Sequence, residues 1–220
     1  MESLRQNQPY FPNYVRILLK NEKGSKDFYD MFIKNLYLRP KSEIKWEIEL
    51  NFHKDKIWWE HVNYTVNSND CTIKWLQYRI IHRILGTNYL LHKIGIKDTN
   101  QCTFCNAQPE TISHLFYFCS YSLSLWNNIK DWLRNEFDLE LNINEIDVIF
   151  GYSNNKKIQV LTSLLKKYIY MQRLKKCIPS LEGAKTYISL YLKAEKFTFQ
   201  KNMKFQLFEK KWGSFERLTL

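Results

Sequence analysis

Between positions 102 and 119 the chain reads CTFCNAQPETISHLFYFC. Three of its five cysteines and one histidine fall within that stretch. The spacing Cys102-x2-Cys105-x8-His114-x4-Cys119 constrains the fold more than any other feature. If these four side chains share an ion, the backbone must turn back on itself twice in a short distance. Thiolate and imidazole are the ligands zinc takes in a closed tetrahedron. Two cysteines three apart bracket a tight turn, so both sulfurs can face one ion. The intervening NAQPETIS loops out and returns, with Gln108-Pro109 as a turn signal and Glu110 and Thr111 as helix starters. Other readings stay open. A redox dithiol needs Cys102 and Cys105 alone and leaves His114 and Cys119 unexplained. A cysteine nucleophile needs a positioned base, which the cluster does not nominate. Chance clustering about a core histidine is the plain alternative. If the metal reading holds, protein fills all four positions and the zinc is structural.

The rest of the sequence points to helices. Gly and Pro are scarce, at 6 and 5 in 220 residues, while Leu, Ile, Lys and Glu abound. The fold class expected is mainly α, a multi-helix domain with an embedded CCHC zinc knuckle. Residues 1–40 read as a lead-in or the remnant of a preceding thumb, with a short strand at YVRILL and a helix from about Ser25. Residues 41–137 read as the helical zinc-binding domain, and 138–220 as a basic helical region. Within the second part, SEIKWEIELNF is predicted helical with Ser42 as N-cap and Ile44, Ile48 and Phe52 on one face. KDKIWWEHVNYTV is a further candidate helix. Asn69 or Asp70 can cap the next, whose core stripe is Ile73, Leu76, Ile80, Ile84 and Leu85, with Gly86 at its C-terminus. A short helix is expected from Asn88 to Ile94. One helix of about six turns is then expected from His114 onward, with Trp126, Ile129, Trp132 and Leu133 inward. Beyond it come a short helix in the connector, a long helix stopped by Pro179, and one or two more. Cys71 and Cys177 read as buried free thiols.

No stretch approaches the roughly 20 apolar residues of a membrane helix, and the N-terminus lacks a signal-peptide pattern. An intracellular setting, nucleus or cytoplasm, is expected, with no membrane partner. There, clustered cysteines more often bind metal than form disulfides.

The net charge of +11 is unevenly spread. Residues 156–220 carry 15 Lys and Arg against 4 Asp and Glu, whereas residues 1–155 carry 18 of each. A basic segment beside a neutral one is the footprint of polyanion binding, and lysine contacts to phosphate release counterions. Candidate nucleic-acid contacts are Lys166, Lys167, Arg173, Lys175 and Lys176 beside Tyr168 and Tyr170, and Lys193 and Lys196 beside Tyr191 and Phe197. Arg79 and Arg83, with His82, form a second candidate patch. A solvated helical surface is the plain reading of the same residues.

CTFC, then ETISHLF, Cys119 and Trp126, resembles the zinc-binding domain at the C-terminal end of reverse transcriptases of LINE-type, non-LTR retrotransposons. KWEIEL, the Trp of IWW, WLQYRIIHRILGTNYLLHKIGI, DVIFGY and LLKKYIYMQRLKKC are similar to the same region on hydrophobic pattern, so the likeness runs from about Ile44 to Trp212. The resemblance implies that Cys102, Cys105, His114 and Cys119 ligate zinc. It also implies a domain that follows the palm and thumb and helps hold template RNA or target DNA, with the polymerase core as a further partner. The sequence departs from a whole enzyme in lacking any Asp-Asp pair for two catalytic metals, and no nuclease carboxylate constellation is recognisable. A chain that neither polymerises nor cleaves is expected. A helical scaffold docking on a polymerase body or host partner is the alternative.

Overall fold

The computed structural model describes residues 40–50, 70–151 and 156–218. The strand and helix expected before residue 40 and the helix expected over residues 54–66 lie outside them. Met1–Pro40 and Lys41–Leu220 are separate compact units, and only the second is described here. Its elements are α1 (Lys41–Leu50), α2 (Cys71–Ile81), α3 (Asn88–Lys93), a π-helical turn (His114–Phe118), α4 (Ser120–Phe137), α5 (Glu145–Phe150), α6 (Lys156–Lys175), α7 (Leu181–Lys201) and α8 (Phe205–Trp212), then a 3-10 turn (Gly213–Leu218). No strand occurs among the described residues, and one isolated bridge joins Gln101 to Pro109.

A single hydrophobic core runs from Trp46 on α1 to Phe215 in the last turn. Buried residues on both sides of residue 137 belong to it. Helix α6 packs on α2, and α5 packs on both α2 and the π turn, so the basic region builds the floor of the cysteine loop. A buried network of polar groups fixes that floor. Gln77 of α2 donates to the Ile149 carbonyl of α5 at 2.7 Å, and Lys166 of α6 donates to Gln77.

Local chemistry explains most element boundaries. Asp70 accepts from Thr72 N and caps α2, as expected. It also pairs with Lys167 of α6 at 2.8 Å, tying the cap to the neighbouring helix. Helix α2 ends at Ile81, not at Gly86, because Arg83 takes the left-handed conformation at φ 57°. Ile73, Leu76, Ile80 and Leu85 are buried, whereas Ile84, beyond that break, is exposed. On α1 the buried face centres on Trp46, whose indole donates to the Ile81 carbonyl at 2.9 Å. Ile44 and Ile48, expected inside, are exposed, and Ser42 lies within the first turn rather than capping it. Trp46 removes more apolar surface from water than either isoleucine, and its N–H finds a partner.

At the α6–α7 corner, Tyr168 reaches over the start of α7 and takes a hydrogen bond from Ser180 N at 3.2 Å. A Cβ at Gly183 would stand 2.2 Å from the Tyr168 hydroxyl, so only glycine permits this approach. Trp212 of α8 donates to Glu195 of α7 at 2.8 Å and closes the C-terminal end of the unit.

Candidate metal centre

The sequence signals in the cysteine loop map onto its geometry. Cys102 N donates to the Gln108 carbonyl at 2.8 Å and Glu110 N to the Asn100 carbonyl at 2.8 Å, so the segment doubles back as the Gln-Pro turn implies. Inside the bend, Asn106 sits at φ 53° and donates its N–H to the Cys102 carbonyl at 2.9 Å. Asparagine tolerates that left-handed geometry better than most residues. Thr111 acts as the expected helix starter, since its hydroxyl accepts from His114 N at 3.0 Å.

The helix expected to run unbroken from His114 is instead two pieces. His114–Phe118 winds as a π turn, and Cys119, at ψ 129°, breaks the path before α4 begins. The π turn leaves carbonyls that the ordinary ladder would satisfy. Ser122 donates to the Leu115 carbonyl at 2.6 Å and Trp126 to the Phe116 carbonyl at 2.7 Å. Both donors come from the first turns of α4, which gives the tryptophan after the last cysteine a physical role. A π turn of this kind often marks a functional position. Here it rotates His114 and Cys119 toward the same point.

Four ligand atoms, one each from Cys102, Cys105, His114 and Cys119, lie within 4.8 Å of one another. Sγ of Cys102 and Sγ of Cys119 are 3.8 Å apart, and Cys105 Sγ is 3.3 Å from His114 Nε2. Two sulfurs each about 2.3 Å from one ion at the tetrahedral angle stand about 3.8 Å apart, and a sulfur and an imidazole nitrogen about 3.5 Å. The thiols are free, and Cys102, His114 and Cys119 are buried. The residues therefore fit a tetrahedral metal ion, and no fifth protein ligand is among the group. A redox pair of Cys102 and Cys105 alone would not need this convergence.

The electrostatics treat the two close sulfurs differently. The hydrogen bond with Cys119, then burial, pushes the Cys102 thiol up, while the same bond holds Cys119 low. The bond draws Cys119 toward the thiolate and holds Cys102 as the thiol. Burial lowers His114, against a smaller opposing pull from Glu110, which keeps the ring neutral and able to ligate. Its Nδ1 is buried with no hydrogen-bond partner among the described residues.

Residues 41–126 match the family model described as zinc-binding in reverse transcriptase. The match starts with α1, ends at Trp126 and covers 86 of the chain's 220 residues. No curated protein matches the chain. No described helix is long and apolar enough to cross a membrane.

The matched segment is locked to the basic region by a residue that the sequence offered only as a helix starter. Glu110 is fully buried. Its carboxylate accepts from Thr103 N at 2.7 Å, from Asn88 N at 2.8 Å and from Arg173 Nε at 2.9 Å. One side chain thereby joins the cysteine turn, α3 and α6. Arg173 also donates to Asn88 Oδ1 at 2.8 Å.

The candidate nucleic-acid contacts divide accordingly. Arg173 is 7% exposed and Lys166 1%, so both are corrected from surface contacts to core residues. Each is spent on partners inside the fold, and neither can reach a phosphate. Burial lowers Lys166 to about 7. Lys167 is paired with Asp70, and Arg83 with Glu49. Lys196 is half-buried and has an interaction within the chain. Lys175, Lys176 and Lys193 are exposed. Arg79 lies over the Trp75 ring, 5.1 Å from its centroid. Trp75 in turn stacks on Tyr78 at 5.2 Å with 2° between planes, and both rings are exposed. Sequence reasoning passed over this pair. Its signal was two aromatics, at positions 75 and 78, lying off the core stripe of Ile73, Leu76 and Ile80. Cys71 and Cys177, expected to be buried, are exposed. They sit at helix ends, where no core face covers them.

Proposed function

We propose that the chain is a non-catalytic nucleic-acid-binding zinc domain, derived from the C-terminal part of a LINE-type reverse transcriptase, and that it positions template RNA or target DNA. The observation that carries this reading is the charge segregation: the whole excess of +11 belongs to residues 156–220. With Lys166 and Arg173 inside the fold, the exposed cations among the described residues of that region are Lys156, Lys175, Lys176, Lys193, Lys201, Lys204 and Lys210. They would supply sequence-independent attraction to phosphates. The stacked, exposed Trp75–Tyr78 pair adds a flat surface for unpaired bases, each stack contributing roughly 1–3 kcal/mol. The metal holds the loop and is not asked for chemistry, since protein donors fill a tetrahedron.

The test is salt dependence. Anisotropy of a labelled single strand of RNA or DNA should give a log–log slope of about −0.7 per phosphate neutralised. Replacing Lys175, Lys176 and Lys193 by Gln should flatten that slope and weaken every sequence alike. A flat response in the unaltered protein would remove the reading. Primer-extension and cleavage assays with Mg2+ should give no product.

A scaffold function is favoured by a different observation. Leu190 and Phe197, two turns apart on α7, are 62% and 67% exposed. Such a face suits packing on a polymerase body. Weak, salt-insensitive nucleic-acid binding together with tight binding of the purified polymerase core would favour it over the first reading.

A further inference from the structure

Between α1, the α2–α3 connection and the start of the zinc-ligand loop lies a half-enclosed cavity of about 220 Å³. Lys45, Arg83, Thr87, Tyr89, Lys93 and Thr111 supply its polar lining, and Leu85, Leu90 and Ile112 its apolar wall. Three cations from three separate chain segments meet there. Lys45 and Lys93 are exposed and have no ion-pair partner among the described residues. Arg83 is the anchored member. Its guanidinium stacks 4.1 Å from the Trp46 ring centroid, and one Nη pairs with Glu49. The other, Nη1, is buried without a hydrogen-bond partner among the described residues. Closed off from water, that nitrogen adds charge to the cavity wall rather than a donor at its surface. The two threonine hydroxyls accept from the backbone, Thr87 from Leu90 N and Thr111 from His114 N, so each keeps its proton for another acceptor. Glu49 is the carboxylate in contact with Arg83, and it leaves the two lysines uncompensated. The left-handed turn at Arg83, a strained position for a non-glycine residue, sets this side chain against the wall.

We infer that this cavity is a phosphate site, in which Lys45, Arg83 and Lys93 surround one phosphate group of a bound strand. One anchored guanidinium, two lysines and hydroxyl donors around an opening of this size suit a tetrahedral oxyanion with its adjoining sugar. A planar base would find too few acceptors for its edges in this lining, where donors dominate. The inference rests on the nucleic-acid reading for its ligand and adds a place to it. It puts one contact beside the metal loop, within residues 1–155, which carry no net charge, and apart from the lysines of α6 and α7. The phosphate can be a strand's terminal monoester or an internal diester.

The experiment uses the zinc-loaded full chain and Lys45→Gln/Lys93→Gln, with Arg83→Lys as a second variant. Lys45 and Lys93 are exposed, so the double variant should melt with the wild type. Inorganic phosphate, followed by calorimetry, is the first probe. Labelled twelve-residue single strands with a 5′-phosphate, a 3′-phosphate or neither are the second. Wild type should bind phosphate one to one, and each variant should weaken it by about ten-fold or more, the scale of a lost charged hydrogen bond. A terminal monoester predicts that the variants weaken only one of the phosphorylated strands. An internal diester predicts equal weakening of all three. If the double variant binds phosphate and every strand like wild type, the cavity is not a phosphate site, whatever the lysines of α6 and α7 do. If no strand binds but phosphate binding still depends on Lys45 and Lys93, the site stands and the nucleic-acid reading falls.

Discussion

The cysteine loop and helix α6 were both singled out by side-chain chemistry, and they behave in opposite ways. In the loop, unlike residues at irregular spacing converge, and Cys102, Cys105, His114 and Cys119 bring their ligand atoms within 4.8 Å. In α6, like residues at close spacing separate. Lys175 is on the surface, Lys167 is paired, and Lys166 and Arg173 are buried. The reason is that ligation asks for atoms to meet, so a pattern of ligand types carries its own geometry. A positive charge asks for nothing so definite. Either water or an internal acceptor can satisfy it, and the helix face decides which.

The cysteines offer the largest contrast. Cys102→Ser or His114→Ala should abolish stoichiometric metal binding and loosen the loop, the π turn and the start of α4. Structural zinc contributes on the order of 10 kcal/mol in small zinc-folded peptides, and here the buried Phe104, Ile112, Leu115 and Phe116 tie the loop to the core beside it. Cys71→Ser and Cys177→Ser, at exposed positions, should leave metal content and melting temperature unchanged. Elemental analysis with thiol titration before and after chelation checks both, and equal behaviour of the four variants would erase the distinction between the two kinds of cysteine.

The cations give the next largest. Arg173→Ala strands the Glu110 carboxylate among backbone donors in the core, and breaking one partner of a buried pair costs roughly 3–5 kcal/mol. Lys175→Ala, two residues on, should stay within about 0.5 kcal/mol. Urea unfolding with metal bound measures both. Because Glu110 also holds Thr103 N in the cysteine turn, Arg173→Ala should further weaken metal retention against a chelator, and Lys175→Ala should not. Equal small effects would mean that the link between α6 and the loop is not structural.

The sequence displayed one half of this arrangement openly. Periodicity placed Trp126, Ile129, Trp132 and Leu133 on the inner face of α4, and all four are buried. The spacing of the ligands and the capping signal at Asp70 were equally direct. Less legible was any feature set by a partner distant in the chain. Glu110 and Arg173 are 63 residues apart, and neither looks unusual in its own neighbourhood. The π turn was hidden because HLFYFCSYSLSLW is continuous in helical pattern, and only the carbonyl acceptors of Ser122 and Trp126 reveal where it widens. A closer reading of α6 would have helped. Thr162, Lys166, Ile169 and Arg173 fall at i, i+4, i+7 and i+11, one face of a helix, and the apolar residues around them suggest that this face turns inward.

Lys166 yields the smallest effect and the sharpest separation from its neighbour. It is fully buried, its nearest acceptors are Gln77 and the Ile149 carbonyl, and burial lowers it to about 7 from 10.5. The unfolded chain therefore binds more protons than the folded one between those two values. Stability contributed by this position rises with pH across that window and is at its lowest below pH 7, where both states are charged. Between pH 7 and pH 9 the gain should be about 2 kcal/mol, against other titrating groups that wild type and variant share. Lys166→Met removes it. That variant also leaves the Gln77 carbonyl without its donor, a loss that does not vary with pH. The difference between the two unfolding curves should thus slope with pH while its offset reports Gln77. Lys167→Met should show no such slope, since the downward pull of burial on Lys167 is outweighed by Asp70 and Tyr187, which keep the amine charged in the fold. A pH-independent difference for Lys166→Met would mean that water or a carboxylate reaches the amine, and the buried face of α6 would then be less closed than that of the cysteine loop.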